Sequence, residues 1–173
     1  KRQLQNFADL DLVAGEAGPY DFVLADLGVS SMQIDNPERG FTFKYDGALD
    51  LRLDPDSGVS AAERLRELEE EELIGMLVEN ADEPYADRIA KGVMQVFSRG
   101  GNIDTTKQLA AVIEEALAFL PEKERKQAVK KSCQRTFQAL RIDVNSEFEV
   151  LYEFLDKLPQ TLKLSLIHIS EPT

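Results

Sequence analysis

The chain of 173 residues has no tryptophan, one cysteine (Cys133) and one histidine (His168). A lone cysteine forms no internal disulfide, which fits a reducing compartment, and one Cys with one His leaves the usual zinc ligand sets unfilled. No apolar run approaches the roughly 20 residues that span a bilayer, and Lys1 to Leu10 has no apolar core of signal-peptide length. A cytoplasmic protein without a functional metal is therefore expected. Cations are scarce as well: 20 Lys and Arg against 32 Asp and Glu give a net charge of −12. That balance argues against a generic nucleic-acid binder, because cationic side chains supply most of the sequence-independent affinity for phosphate backbones. Also absent is a glycine-rich turn directly after a strand, the element with which Rossmann-like enzymes cradle a cofactor. Gly15 and Gly18 precede a strand signal and read as a surface turn.

With 43% hydrophobic and 30% charged residues, the chain reads as an ordinary globular one, long enough for one domain or part of a larger one. Its charge is uneven. Glu67 to Glu72 forms an acidic run, whereas Lys123, Arg125, Lys126, Lys130, Lys131 and Arg135 fall close together. A basic helix face that tracks phosphates and a merely solvated face both fit that stretch.

The densest information lies between Asp21 and Asp54. Phe22 to Ala25 is a short apolar run of the length of a strand covered on both faces, with Asp26 at its end. In open parallel sheets, ligands bind beyond the carboxyl ends of strands. The loop that follows, from Gly28 to Asp54, is too rich in charge and glycine for a plain connector. Arg39, Lys44 and Arg52 in it suit phosphates, and Phe41, Phe43 or Tyr45 suits stacking on an extruded base. The alternative is an ordered loop tied together by Arg–Asp pairs, with Phe41 and Phe43 anchored in the core. Arg52, between Asp50 and Asp54, fits either reading.

From Ser60 onward the pattern becomes helical. Ser60 with Glu63 and Thr105 with Gln108 have capping-box spacing. Apolar residues recur at three- and four-residue steps, as in Leu65, Leu68, Leu73, Leu77 and again in Leu109, Val112, Ile113, Leu117. Gly100 and Gly101 stop one helix and Pro121 separates two more. About five helices are expected between Ser60 and Lys157, with no strand between them, far more than one crossover needs. Arg141 and Asn145 lie one turn apart and can brace the site, whereas Phe137, Leu140, Ile142 and Val144 read as core.

Four ordered blocks carry a resemblance: DLGVSS at Asp26 to Ser31, RGFTF at Arg39 to Phe43, DGALDLRLD at Asp46 to Asp54, and RTFQALRIDVNSE at Arg135 to Glu147. In these blocks the chain closely resembles the S-adenosylmethionine-dependent small-subunit ribosomal RNA (cytosine-N4)-methyltransferases known as MraW or RsmH, from about Asn6 to Lys163. The resemblance implies an α/β fold, a partial Rossmann-like class I methyltransferase domain with an inserted all-helical subdomain. It implies methyl transfer from S-adenosyl-L-methionine to the N4 amine of a cytidine in small-subunit rRNA, tuning the decoding region, with that RNA as the partner. Phe7, Asp26 and Gln33 match the family's cofactor contacts. Asp26 is also the candidate acceptor for the target amine, and Arg39, Phe41, Phe43, Arg52, Arg141 and Asn145 are candidate substrate contacts. One departure is that Lys131, Ser132, Cys133 and Gln134 stand where the family commonly has a His-Pro-Ala-like stretch.

The expected organisation assigns residues 1–54 to the methyltransferase core, 55–130 to a helical insertion for substrate recognition and 131–163 to a return to the core. Leu164 to Thr173, which includes His168, resembles a translated sequencing adapter and receives no role. On this reading the chain is an internal fragment that, without the glycine turn, binds little cofactor and is itself inactive. A methyltransferase of another acceptor and a non-catalytic helical interaction module are the competing classes.

Overall fold

The computed structural model describes residues 7–17, 19–25, 28, 34 and 36–163, of which Phe7, Val13, Glu16, Ala17 and Pro37 are described in backbone only. They fall into two compact units, one formed by residues 29–145 and the other by the segments 1–28 and 146–173.

The larger unit is helical. Its elements are α2 (Ala61–Glu67), α3 (Glu70–Ala81), α4 (Ala86–Ser98), α5 (Thr106–Ala116) and α6 (Glu122–Val144). Both expected capping boxes form: Ser60 and Thr105 accept from the backbone N–H of Glu63 and Gln108, whose side chains reach back to the cap. Two orphan donors at each helix start are thereby satisfied, typically stabilising by about 1 kcal/mol per cap. The Ser60 backbone N–H, donating to the Glu63 carboxylate, holds that acid below its ordinary range. Pro121 caps α6, and Gly100 leaves α4 with a positive φ of 76° that a side chain rarely adopts.

α3 packs on α6 and α4, α4 on α5, and both α2 and α5 on α6. The leucine and isoleucine stripes that define the helical period meet in one core: Leu65, Leu77, Ile89, Leu109, Ile113 and Leu140 are each at most 1% exposed. Phe137 and Leu140 of α6 lie in this core, and Ile142 is buried as well. Arg64 on α2 pairs with Asp143 on α6 at 2.7 Å, a hydrogen bond that raises the Arg64 pKa.

The smaller unit holds a 3-10 turn (Phe7–Asp9), α1 (Leu10–Ala17) and α7 (Glu147–Thr161). Lys157 on α7 ties them together, donating from Nζ to the Ala8 carbonyl at 2.9 Å while pairing with Glu153 and Asp11. The Glu153 and Asp11 carboxylates keep that ammonium above its ordinary pKa. α1 corrects one expectation: Gly15 sits inside a helix and not in a surface turn, since i to i+4 hydrogen bonding accepts a single glycine at modest cost.

A second correction concerns the sheet. Phe22 to Ala25 forms no strand, and Phe22 and Leu24 are 75% and 80% exposed. A strand hydrophobic on both faces is held by neighbouring strands, and no described segment pairs with these residues. Among the described residues the β structure is limited to two isolated bridges, parallel Tyr20–Leu162 and antiparallel Ala48–Thr105. A third, smaller correction is that six helices, not about five, begin between Ser60 and Lys157, because α2 and α3 break at Leu68, whose backbone is extended.

Candidate functional site

Residues 36–54 of the charged loop form a strap on the helical unit, and their sequence explains why. Pro37–Arg39 makes a 3-10 turn, after which Gly40 turns with φ 73°. A Cβ on Gly40 would lie 2.4 Å from the Ala48 carbonyl oxygen, so only glycine allows the two passes of the loop to touch. Along the returning pass, Leu49 N–H donates to Asp104 O at 2.9 Å and Leu51 N–H to Arg39 O at 3.1 Å. The N–H groups of Ala61 and Ala62, at the start of α2, donate to the carbonyls of Asp50 and Leu49. Leu49 and Leu51, each 1% exposed, are driven into the core between these bonds.

Two polar side chains from distant helices complete the strap. Asn145, at the C-cap of α6, accepts from Leu53 N–H at 2.7 Å and donates through Nδ2 to the carbonyls of Leu51 and Arg141, each at 2.8 Å. Thr106, fully buried in the first turn of α5, donates to Tyr45 O at 2.8 Å and accepts from Gly47 N–H at 3.3 Å. The sequence reading missed Thr106; its only signal was a second threonine directly after a capping one.

The candidate substrate residues are thereby brought together with defined partners. Arg39 donates from one guanidinium nitrogen to the carbonyls of Arg52 and Leu53 and lies 5.7 Å from the Phe41 ring centroid. Arg52 makes a two-point pair with Asp50, at 2.6 and 3.1 Å, and donates to Gly58 O. Phe41 and Phe43 pack on the core, and the Phe43 ring meets Phe137 at 5.6 Å. Arg141 lies in the last turn of α6, where its carbonyl also accepts the Asn145 N–H. In this geometry Arg39, Arg52, Phe41 and Phe43 brace the loop itself. The outward residues are Lys44, Tyr45 and Asp46, with Tyr45 63% exposed.

Of the candidate cofactor contacts, Asp26 and Gln33 lie outside the described residues, and Phe7 is described in backbone only, at the start of the 3-10 turn fixed by Lys157. Among the described residues no group of three or more His, Cys, Asp or Glu side chains is placed to hold a metal ion, and no helix is long and apolar enough to cross a membrane. Cys133 is buried, and burial first, then the Glu114 and Glu83 carboxylates, pushes its thiol up to about 12. It is a packing group and not a nucleophile at neutral pH.

Comparison with known proteins adds to this geometry. A protein of Agathobacter rectalis named Ribosomal RNA small subunit methyltransferase H 1 is 63% identical over 161 residues, covering 93% of this chain and 46% of its own length. The protein of the same name from Lachnoclostridium phytofermentans is 62% identical over 157 residues, 91% of this chain and 43% of that protein. Ribosomal RNA small subunit methyltransferase H 2 of Alkaliphilus metalliredigens is 60% identical, again over 91% of this chain and 45% of its own. The chain thus spans a little under half the length of these curated relatives. The MraW methylase family model matches residues 2–167, nearly the whole sequence, and the chain belongs to that family.

Proposed function

We propose that the protein carrying this sequence transfers a methyl group from S-adenosyl-L-methionine to the N4 amine of a cytidine in small-subunit rRNA. The observation that carries this reading is the coincidence of the four sequence blocks with an identity of 60–63% to relatives named as rRNA small subunit methyltransferases. The same relationship supports the small ribosomal subunit RNA as partner and the cytoplasm as location. It also supports a Rossmann-like sheet in the core, with 1–54 and 131–163 as core segments and 55–130 as the helical insertion that recognises substrate. The parallel bridge between Tyr20 and Leu162 supports such a sheet too, since parallel pairing across an intervening helix is its construction unit.

The donor set suits the cofactor. An aromatic ring at Phe7 can cover adenine, and the Gln33 amide and Asp26 carboxylate can meet its hydroxyl and ammonium groups. When bound, S-adenosylmethionine supplies a methyl already activated on a sulfonium, so the protein is asked mainly for alignment of the amine. Asp26, accepting an N–H from the exocyclic amine, would orient the nitrogen lone pair and stabilise the charge that develops on it. Arg39, Phe41, Phe43, Arg52, Arg141 and Asn145 are the substrate-side residues of this site, brought together by the strap of residues 39–54, and Lys44 and Tyr45 are exposed on it.

The test is methyl transfer from labelled cofactor to unmodified small subunits, comparing a protein of the relatives' length with its Asp26→Asn variant. Product at cytosine N4 with the parent, and loss of turnover without loss of stability in the variant, supports the reading. Transfer to another acceptor only, or equal loss of both properties, overturns it. Because its sequence has no glycine-rich turn after a strand, the 173-residue chain alone is expected to bind the cofactor weakly.

A further inference from the structure

Lys123, Gln127, Lys131 and Arg135 recur every four residues along one face of α6, about 6 Å of helix rise per step, and line a groove of about 290 Å³ whose other wall is Pro84 and Tyr85. Glu124 is the only carboxylate among the lining residues. Three cations thus face one carboxylate in this groove, although the chain carries 12 more acids than bases. A groove with a local excess of cations on so acidic a protein points to an anionic ligand.

The aromatic wall is built and held. Phe119 meets the Tyr85 ring edge to face at 6.0 Å, and the Arg88 guanidinium covers Phe119 at 3.9 Å. Below the groove, Glu83, only 2% exposed, accepts from Ser132 Oγ at 2.9 Å and from the Tyr85 N–H at 3.1 Å, pinning the turn to α6. A cation-lined groove with a fixed aromatic ring beside it is the construction that binds single-stranded nucleic acid, where phosphates take the charges and an unstacked base takes the ring. A duplex, its bases already stacked, has no use for the ring.

We infer that the groove between the Pro84–Tyr85 turn and α6 binds the backbone of single-stranded RNA, with Lys123, Lys131 and Arg135 on phosphates and Tyr85 stacking a base. The inference rests on the rRNA reading above and assigns that substrate a second contact surface, distinct from the strap of residues 39–54.

The experiment measures anisotropy of a short labelled single-stranded RNA of mixed sequence with the 173-residue chain, across a salt series. Each single-strand phosphate contact contributes about 0.7 to the slope of log affinity against log salt. Lys131→Ala with Arg135→Ala should therefore flatten the slope by about 1.4. Tyr85→Ala, which keeps the backbone bond to Glu83, should weaken binding about tenfold without altering the slope. Lys91→Ala with Lys107→Ala, exposed cations away from the groove, should change neither. Circular dichroism checks that each variant is folded. Unchanged affinity in the groove variants, equal losses in the Lys91 and Lys107 control, or no RNA binding by the folded parent each overturns the inference. The same substitutions in a protein of the relatives' length separate it from the methyltransferase reading. Undiminished methylation by the groove variants sinks the groove alone, whereas a parent that transfers no methyl sinks the enzymatic reading while the salt slopes still judge the groove.

Discussion

The helical unit and the smaller unit treat similar apolar residues in opposite ways. In residues 29–145 the helical stripes close on themselves, and Leu77, Ile89 and Leu109 are fully buried. In the smaller unit Phe22 and Leu24, in the run with the strand pattern, are 75% and 80% exposed. The difference lies in what each kind of element asks of its surroundings. A helix satisfies its own backbone hydrogen bonds and needs only one apolar face covered, so neighbouring helices in sequence suffice. A strand of a parallel sheet needs partners on both edges and cover on both faces, and these come from far along a chain.

The most direct way to break that comparison is to remove one large side chain from each unit. Leu109→Ala opens a cavity in the helical core and should cost about 2–5 kcal/mol in urea unfolding. A loss below about 1 kcal/mol would mean that the helical unit is as loosely packed as its neighbour. Asn145→Ala should come next, at about 1–3 kcal/mol, because it strands the Leu53 N–H and the Leu51 carbonyl. Hydrogen exchange should then accelerate at Leu53 before the helices open. Unaltered protection at that amide would show that the strap does not depend on α6.

Cys133 sharpens the comparison through pH. Its folded pKa, about 12, exceeds the ordinary 9.0, so the folded state holds the thiol proton more tightly than the unfolded one. The associated stability is complete below 9.0 and is lost as pH rises toward about 12. Alkylation with iodoacetamide at pH 8 should accordingly be limited by opening of the helical unit, and modification at the rate of a free thiol would contradict the burial. The smallest effect belongs to Leu24→Ser, which should change the stability of this chain by no more than about 0.5 kcal/mol, the usual range for exposed positions. In a protein of the relatives' length the same substitution should cost several times more if the sheet proposed above encloses that position.

Local signals were legible and distant ones were not. The caps at Ser60 and Thr105, the break before Pro121 and the exit at Gly100 each rest on residues within one turn of one another, so spacing alone announced them. Arg52 stands two residues from both Asp50 and Asp54 in sequence, and only the fold selects Asp50 as its partner at 2.6 Å, with the Gly58 carbonyl taking a further donor. The strap's anchors are 59 to 94 residues from what they hold, as in Gly47 to Thr106 and Leu51 to Asn145. The Glu83 carboxylate under the Tyr85 turn had no sequence signal beyond an acid before a proline.

The amino-acid order was enough for the capped helix starts, the apolar stripes and the family, because each depends on residue identity at short, regular spacing. Only the packed chain settles that Arg39 and Arg52 hold the loop's own carbonyls and the Asp50 carboxylate, and that Lys123, Lys131 and Arg135 line one groove with Tyr85. Which partner a charged side chain meets depends on distances that only the packed chain creates, and Coulomb and hydrogen-bond energies fall off within a few ångströms of contact.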